Sequence, residues 1–305
     1  MKILVTGGAG FIGSHLCESL SKKHEVVCVD NLLTGDIENI KKLEIEFKKQ
    51  DISKPFDIKC EVIFNMACPA SPIHYQKYPI ETLLVNSLGM KNVLDNAKKY
   101  RARVLHASTS EVYGDPLVHP QIEAYRGNVN CLGPRACYDE GKRFAEALCM
   151  NYYTKFRVEV VLARIFNTYG PNMALNDGRV IPNFISQALK GKSITVYGNG
   201  KQTRSLCYIS DMCRALEMLA FSEFKGEVFN VGNPTEITMI KLATKIRELS
   251  NSKSKIVFKS LPEDDPHRRK PDISKIKKAL GWKPKIGLSQ GLKNTIAFFR
   301  DSGKI

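Results

Sequence analysis

Tyr138 and Lys142 stand four residues apart in RACYDEGKRFAEALCMNYY, a stretch with helical apolar spacing, so both side chains share one face of the predicted helix. A phenol with a pKa of about 10 is a poor base at neutral pH, but a neighbouring ammonium and a bound cation stabilise the phenolate and bring proton transfer within range. The apolar run RVLHAST ends in Ser108-Thr109 and continues into Ser110-Glu111. At the carboxyl end of a strand, Thr109 can hydrogen-bond the same substrate oxygen that Tyr138 deprotonates, although Thr at that place is also a common cap. Glu111 has less structural reason to be there, because a carboxylate beside a buried ligand is costly unless it has a task. Taken alone, a Tyr and Lys pair at this spacing is usually surface decoration. What else the chain carries decides its meaning.

The second cluster is GGAGFIG at residues 7 to 13, between the apolar run KILVT and a helix starting near Phe11 and Ile12. Gly7, Gly8, Gly10 and Gly13 fit both common dinucleotide glycine spacings; such glycines permit a tight turn, close approach of backbone N–H groups to a pyrophosphate, and close helix-to-strand packing. The next run, EVVCVD, ends in Asp30, about 20 residues after the loop, where a carboxylate accepts hydrogen bonds from the adenosine ribose. Asp30 would repel a 2′-phosphate, so NAD is expected over NADP. Asn31 follows it, and Asp51 with Ile52, at the end of a third apolar run, are placed toward the adenine. Strand, loop, helix and acid in this order make a chance glycine turn the poorer account.

These groups need a frame. KILVT, EVVCV, IEFKK, EVIFNMA, RVLHAST and VEVVLAR read as strands with helical segments between most of them, which predicts an α/β fold: a doubly wound, Rossmann-type parallel sheet. Helices are predicted over Ile181 to Leu189, Asp211 to Phe221, Ile240 to Leu249 and Leu288 to Phe299, and strands near Ile194 to Tyr197, Leu206 to Ile209 and Val228 to Val231. They form a smaller C-terminal α/β lobe that returns at least once to the first sheet. Turn signals cluster at Gly170-Pro171, Gly198-Asn199-Gly200, Asn233-Pro234 and Pro262 to Pro266. The 305 residues contain no apolar run long enough for a membrane span and no basic-then-apolar leader, so a cytoplasmic protein is expected. Nine cysteines, odd in number and never in C-x-x-C pairs, read as reduced core thiols, neither a disulfide frame nor a zinc site, and no metal is expected. The net charge of +15 comes largely from scattered lysine pairs; with no RNA-binding motif and no aromatic-rich basic strand, a nucleic acid partner is not expected.

The motifs TGGAGFIGSH, ACPASPIHYQ, ASTSEVYGDP, GPRACYDEGKR, ARIFNTYGP, NDGRV, VYGNGKQTRS, CYISD, DDPHRRKPDI and ALGWKP span nearly the whole chain. Together they resemble the UDP-glucuronate decarboxylases, or UDP-xylose synthases, of the extended short-chain dehydrogenase/reductase class. Several are shared by all such enzymes acting on nucleotide sugars; ACPASP, Ser110-Glu111 and RRKPD are more selective. The resemblance implies oxidation of UDP-glucuronate at carbon 4 with NAD as hydride acceptor, Tyr138 taking the hydroxyl proton with Lys142 and Thr109 in support. The β-keto acid so formed loses carbon dioxide through an enolate, carbon 5 is protonated, and carbon 4 is reduced again. Arg269 is implied to position the carboxylate, with Glu111 and Ser110 organising water or proton delivery. Asn167 and Arg204 are the implied diphosphate contacts and Arg179, Gln202 and Tyr208 the secondary ones, arginine forks suiting a diphosphate. The division implied is an NAD-binding domain over 1–166 with a return segment near 205–233, and a UDP-sugar lobe from 167–204 and 234–305. Segments Ile80 to Lys99 and Arg135 to Tyr153 correspond to the helices that pair in relatives, which implies a homodimer.

The chain departs from the family at Arg126, where an aromatic residue is usual, in a loop that can border the site. Epimerases of the class do not need Glu111, and 4,6-dehydratases carry Asp-Glu where this chain has Ser110-Glu111. UDP-apiose/UDP-xylose synthases resemble it at Cys68, Glu111, Arg135 and Tyr138 but typically have Cys beside the glutamate, so Ser110 favours simple decarboxylation. A catalytically silent dinucleotide-binding regulator is the reading from another class, and an intact Thr109, Tyr138 and Lys142 set speaks against it.

Overall fold

Apolar runs such as KILVT and VVLARI are buried along most of their length, as strands covered by helices on both faces must be. The computed structural model describes residues 1–175, 178–260 and 268–302. Asn176-Asp177 of the NDGRV motif, the Pro262 to Pro266 turn signal and the first four residues of DDPHRRKPDI lie outside the described residues. In the first half, β1 (Lys2–Thr6), β2 (Glu25–Asp30), β3 (Glu46–Lys49), β4 (Val62–Asn65), β5 (Arg103–Thr109) and β6 (Val160–Ile165) are joined through α1 (Phe11–Ser21), α2 (Pro72–Lys77), α3 (Pro79–Leu84), α4 (Met90–Tyr100) and α5 (Ala136–Phe156). Then come β7 (Thr168–Tyr169), α6 (Val180–Leu189), β8 (Ile194–Tyr197), β9 (Thr203–Ser205), β10 (Cys207–Tyr208), α7 (Ile209–Ala220) and β11 (Glu227–Val231). The last are β12 (Glu236–Thr238), α8 (Met239–Leu249), β13 (Ile256–Lys259), β14 (Arg268–Arg269), α9 (Ser274–Leu280) and α10 (Leu288–Asp301).

Seven strands form one sheet in the order β11-β6-β5-β4-β1-β2-β3, every pairing parallel. The order reverses between β1 and β4, and such a reversal leaves a crevice beyond the carboxyl ends of those strands. Side chains alternate across the sheet: Ile3 and Val5 pack into a core shared with α1 and α7, Leu4 into one shared with α4 and α5. The expected return to the first sheet is β11. The remaining strands pair as β8 with β13, β7 with β10, and β9 between β12 and β14, and the first of these pairs packs with α6, α8 and α10 onto the α1 and α7 core.

The segment Ile80 to Lys99 is helical throughout but not uniformly α. A π-helical turn, Val85–Gly89, separates α3 from α4. It is fixed by Asn86, whose Nδ2 donates to the Thr82 carbonyl at 2.8 Å and to Cys68 Sγ at 3.2 Å, and by Gly89, where an added Cβ would lie 3.1 Å from Ile52. Such turns favour places where a helix must reach toward a ligand cleft.

Candidate active site

A cleft of about 1190 Å³ opens where the sheet order reverses. At its cofactor end Gly7 has φ +68°, and an added Cβ would meet the Ala67 backbone at 2.7 Å; one on Gly13 would meet the Gly7 carbonyl oxygen at 2.1 Å. Only glycine fits both places. Gly10 caps α1 with no side-chain hydrogen bond and no acid follows in the first turn, so the N–H groups and positive dipole end beside Phe11, Ile12 and Gly13 suit a pyrophosphate. Asp30, at the end of β2, accepts N–H from Ala9 at 3.1 Å and Leu32 at 2.8 Å, which ties the acid to the glycine loop. Burial raises its carboxyl above the ordinary value while these two bonds oppose the rise. Asn31 and Asp51 are held by their own turns, accepting N–H from Leu33 and Ser53, and Ile52 is buried on the cleft wall. A loop that admits no Cβ at Gly7 or Gly13, an uncapped helix start and a fixed ribose-height acid fit NAD.

At the other end, Thr109, Ser110 and Glu111 leave β5 through a short helical turn that Thr109 caps, its Oγ1 accepting the Glu111 N–H at 3.2 Å. The end of β5 is pinned to α5 by Glu146, which accepts from Ser108 Oγ and from both Nε and an Nη of Arg164 on β6. Tyr138 and Lys142, on the first turns of α5, are both buried. Lys142 Nζ donates to the Ala107 carbonyl at 2.8 Å. Burial, followed by the Cys68 thiol, pushes the Tyr138 phenol well above its ordinary range, and a hydrogen bond with Thr109 pulls the other way. Desolvation thus outweighs the Thr109 hydrogen bond in the protein alone, and the expected lowering of the phenol still calls for the bound cation.

Arg269 reaches this site from β14, whose pairing with β9 sets Arg269 opposite Arg204. It is 2 % exposed and donates to Ser110 Oγ at 3.1 Å, to the Gly114 carbonyl at 2.7 Å and to Glu111 Oε1. Arg135, at the start of α5, holds Glu111 Oε2. Burial would favour the neutral acid, but Arg269 and Arg135 outweigh it and hold the Glu111 carboxyl below the usual carboxylate range. The structure thus brings Thr109, Ser110, Glu111, Tyr138, Lys142 and Arg269 to one end of the cleft.

Asn167, Arg179, Gln202 and Arg204 border the same cleft, Arg179 with its guanidinium 5.7 Å over the Phe11 ring. Tyr208 does not border it. Its ring packs edge-on against Tyr169, 5.5 Å between centroids, and its hydroxyl accepts from Asn294 of α10. Two further residues that were not assigned roles in the sequence stand in the site. Arg135 is the second guanidinium on Glu111, and Tyr75 of α2 stacks on Tyr138 at 5.1 Å with ring planes 8° apart. Arg135 was detectable in principle, since it lies three residues before Tyr138 and so on nearly the same helix face; Tyr75 gave no such signal.

The profile of the GDP-mannose 4,6 dehydratase family matches residues 4–295. UDP-glucuronic acid decarboxylase 3 of Arabidopsis thaliana is 51% identical over 298 residues, covering 96% of this chain and 87% of the relative. UDP-glucuronic acid decarboxylase 1 of Xenopus tropicalis is 50% identical over 304 residues, covering 98% and 72%. Among solved structures, UDP-glucuronic acid 4-epimerase from Bacillus cereus, in complex with UDP-glucuronic acid and NAD, superposes with a TM-score of 0.89 at 29% identity over 99% of this chain and 100% of that one. With an NAD cradle, a buried Tyr, Lys and Thr set, and a carboxylate gripped by two arginines in one cleft, the chain belongs to the GDP-mannose 4,6-dehydratase family and, within it, to the UDP-glucuronic acid decarboxylases.

Proposed function

We propose that this chain converts UDP-glucuronate to UDP-xylose with a retained NAD that ends each turnover as it began. The observation that carries this reading is the placement of Arg135, Arg269, Glu111 and Ser110 on the cleft wall shared with Tyr138 and Thr109. It is a built site for a substrate carboxylate next to a proton-transfer pair. NAD bound at the glycine loop would supply the hydride acceptor and a positive charge within the cleft that Tyr138 lines.

Tyr138, aided by Thr109 and Lys142, takes the carbon 4 hydroxyl proton as that carbon is oxidised. The arginines hold the carboxylate so that its bond to carbon 5 can break and leave the electron pair in the new carbonyl system. Hydrogen-bond donation to the carbon 4 oxygen from Tyr138 or Thr109 stabilises the enolate. Carbon 5 then takes a proton from the side lined by Glu111 and Ser110, and carbon 4 is reduced while Tyr138 returns its proton.

The UDP half would lie against Asn167, Arg204, Arg179 and Gln202, in a lobe of 167–204 and 234–305, with 1–166 and the return at 205–233 carrying NAD. A cytoplasmic location fits nine free cysteines, and no helix among the described residues is long and apolar enough to cross a membrane. Ile80, Leu83, Leu88 and Phe144 leave apolar surface on the α3 to α5 face, which supports pairing of two copies there. Light scattering giving only a 34.2 kDa particle at micromolar concentration would refute that pairing. For the reaction, NAD-loaded protein incubated with UDP-glucuronate should give UDP-xylose by mass and NMR; UDP-galacturonate, UDP-apiose or unchanged substrate refutes the assignment.

A further inference from the structure

Asp139 follows Tyr138 directly, and the reaction above does not use it. Its side chain is 9 % exposed, and its Oδ1 has no hydrogen-bond partner among the described residues. Its Oδ2 lies 3.9 Å from Nε of Arg135, the guanidinium that holds Glu111, whose other oxygen is held by Arg269. The four groups form one chain. Arg135, Glu111 and Arg269 are on the cleft wall and Asp139 stands behind them. Two guanidiniums against two carboxylates leave no net charge, whereas protonation of Asp139 leaves one positive charge facing the cleft.

We propose that Asp139 is a positioning residue that sets, through Arg135, the charge with which the cleft meets the carboxylate of its substrate. This rests on the functional reading above. Around Asp139 are Glu111 from the turn after β5, Arg269 from β14, Tyr75 from α2, and Arg135, Cys137, Tyr138 and Glu140 from its own segment. Burial first, then the charge of Glu111, push the Asp139 carboxyl up to about 7 against the pull of Arg135 and Arg269. It therefore changes charge across the neutral range. An orphaned Oδ1 is tolerable on a carboxyl that is protonated part of the time, since the neutral acid costs less to bury. A substrate carboxylate arriving at Arg135 and Arg269 adds a like charge, so binding favours the protonated acid and takes up a proton; by reciprocity, ionised Asp139 weakens carboxylate binding. Affinity for UDP-glucuronate should fall from pH 6 to pH 8, by at most about tenfold per pH unit, while UDP-xylose, which lacks the carboxylate, should show no such dependence.

The test uses NAD-loaded protein carrying Tyr138→Phe, so that ligand binds without turnover, and calorimetry near pH 7 in two buffers of different ionisation enthalpy. UDP-glucuronate should bind with uptake of a sizeable fraction of a proton, and UDP-xylose with none. Adding Asp139→Asn should abolish the uptake and make the UDP-glucuronate Kd independent of pH, and Asp139→Glu should restore both. A purely structural role would weaken both ligands alike at every pH and so overturns the proposal, as does uptake that persists with Asp139→Asn. Should that variant not fold, KM of the native enzyme decides: a value for UDP-glucuronate that stays flat from pH 6 to pH 8 overturns the proposal. Product formation with a flat KM defeats the Asp139 role alone, whereas failure to bind or convert UDP-glucuronate defeats the functional reading and this proposal with it.

Discussion

Truncating Arg269 to alanine should separate the two chemical stages and destabilise the fold in a pH-dependent way. The guanidinium is 2 % exposed and makes charge-assisted bonds to Glu111, Ser110 and Gly114. Removing one partner of a buried ion pair costs about 3–5 kcal/mol. Glu111 keeps Arg135, so the loss should sit near the lower end, about 3 kcal/mol, or a Tm roughly 5 °C lower for NAD-loaded protein at pH 8. The sign with pH follows from Glu111. Its folded carboxyl lies below the usual range, so it contributes stability that is present above the unfolded value and lost as pH falls through the folded one. Without Arg269 burial is opposed less, the folded value rises, and part of that contribution disappears. The gap between native and variant should therefore be at its full width at pH 8 and close as pH falls below 4.5 toward the lower folded value of Glu111. In the reaction, Tyr138, Lys142 and Thr109 are untouched, so oxidation should proceed while carboxylate loss slows, and reduced cofactor or a 4-keto sugar should build up as UDP-xylose output drops. An unchanged Tm at pH 8, a gap that widens on acidification, or decarboxylation at the native rate would each refute this reasoning.

Tyr138→Phe removes the proposed acceptor of the carbon 4 hydroxyl proton, so hydride transfer should fall by orders of magnitude and no bound NADH should appear when UDP-glucuronate is added; NADH accumulation would reverse the proposed roles. NAD should copurify or bind on the order of 100-fold more tightly than NADP, because Asp30 is fixed at 2.8 Å from the Leu32 N–H where a 2′-phosphate would enter; comparable Kd values by calorimetry would contradict this. Gly13→Ala puts a Cβ 2.1 Å from the Gly7 carbonyl and 2.8 Å from Gly8 Cα, both backbone, so the loop must move. Overpacking of this kind costs about 1–3 kcal/mol, and NAD affinity should drop at least about tenfold; binding at native strength would mean that the loop does not cradle the pyrophosphate.

The cofactor end was legible because its parts are local: strand, glycine loop, helix and acid all fall within residues 2 to 30, and period-2 and period-3.6 patterns fix which way each side chain points. The sheet was legible for the same reason, each buried strand being an unbroken apolar run. The π-helical turn at Val85–Gly89 was not, because apolar spacing continues through it and the cause is tertiary, Asn86 against Cys68 and Gly89 against Ile52. β12 and β14 are two or three residues long with charged members, so no periodicity announces them. Tyr208 shows the opposite failure. A buried aromatic at the start of α7 has the composition of a ligand contact, and only packing against Tyr169 and α10 reveals which way it faces.

The tie between fold and reaction type lies in how far the carboxylate site is assembled across the chain. Thr109 comes from β5, in the sheet that also carries the glycine loop, and Tyr138 and Lys142 from α5 packed on that sheet, so the proposed oxidation and reduction at carbon 4 draw on these elements alone. Glu111 meets Arg135 across 24 residues but Arg269 across 158. Arg269 arrives only when β14 has paired with β9 and the Gln121 backbone has paired with the Lys270 to Asp272 segment, whose Asp272 N–H donates to the Gln121 carbonyl at 2.8 Å. On the proposed mechanism, the guanidinium that would hold the substrate carboxylate is thus delivered by a late segment of the chain beside a Tyr, Lys and Thr set that is assembled without it. On that proposal, a fold shared with a UDP-glucuronic acid 4-epimerase supports a different outcome through this separation. On this proposal the sheet and α5 set where carbon 4 reacts, and the charge that β14 and the start of α5 bring beside Glu111 governs whether the substrate carboxylate can leave.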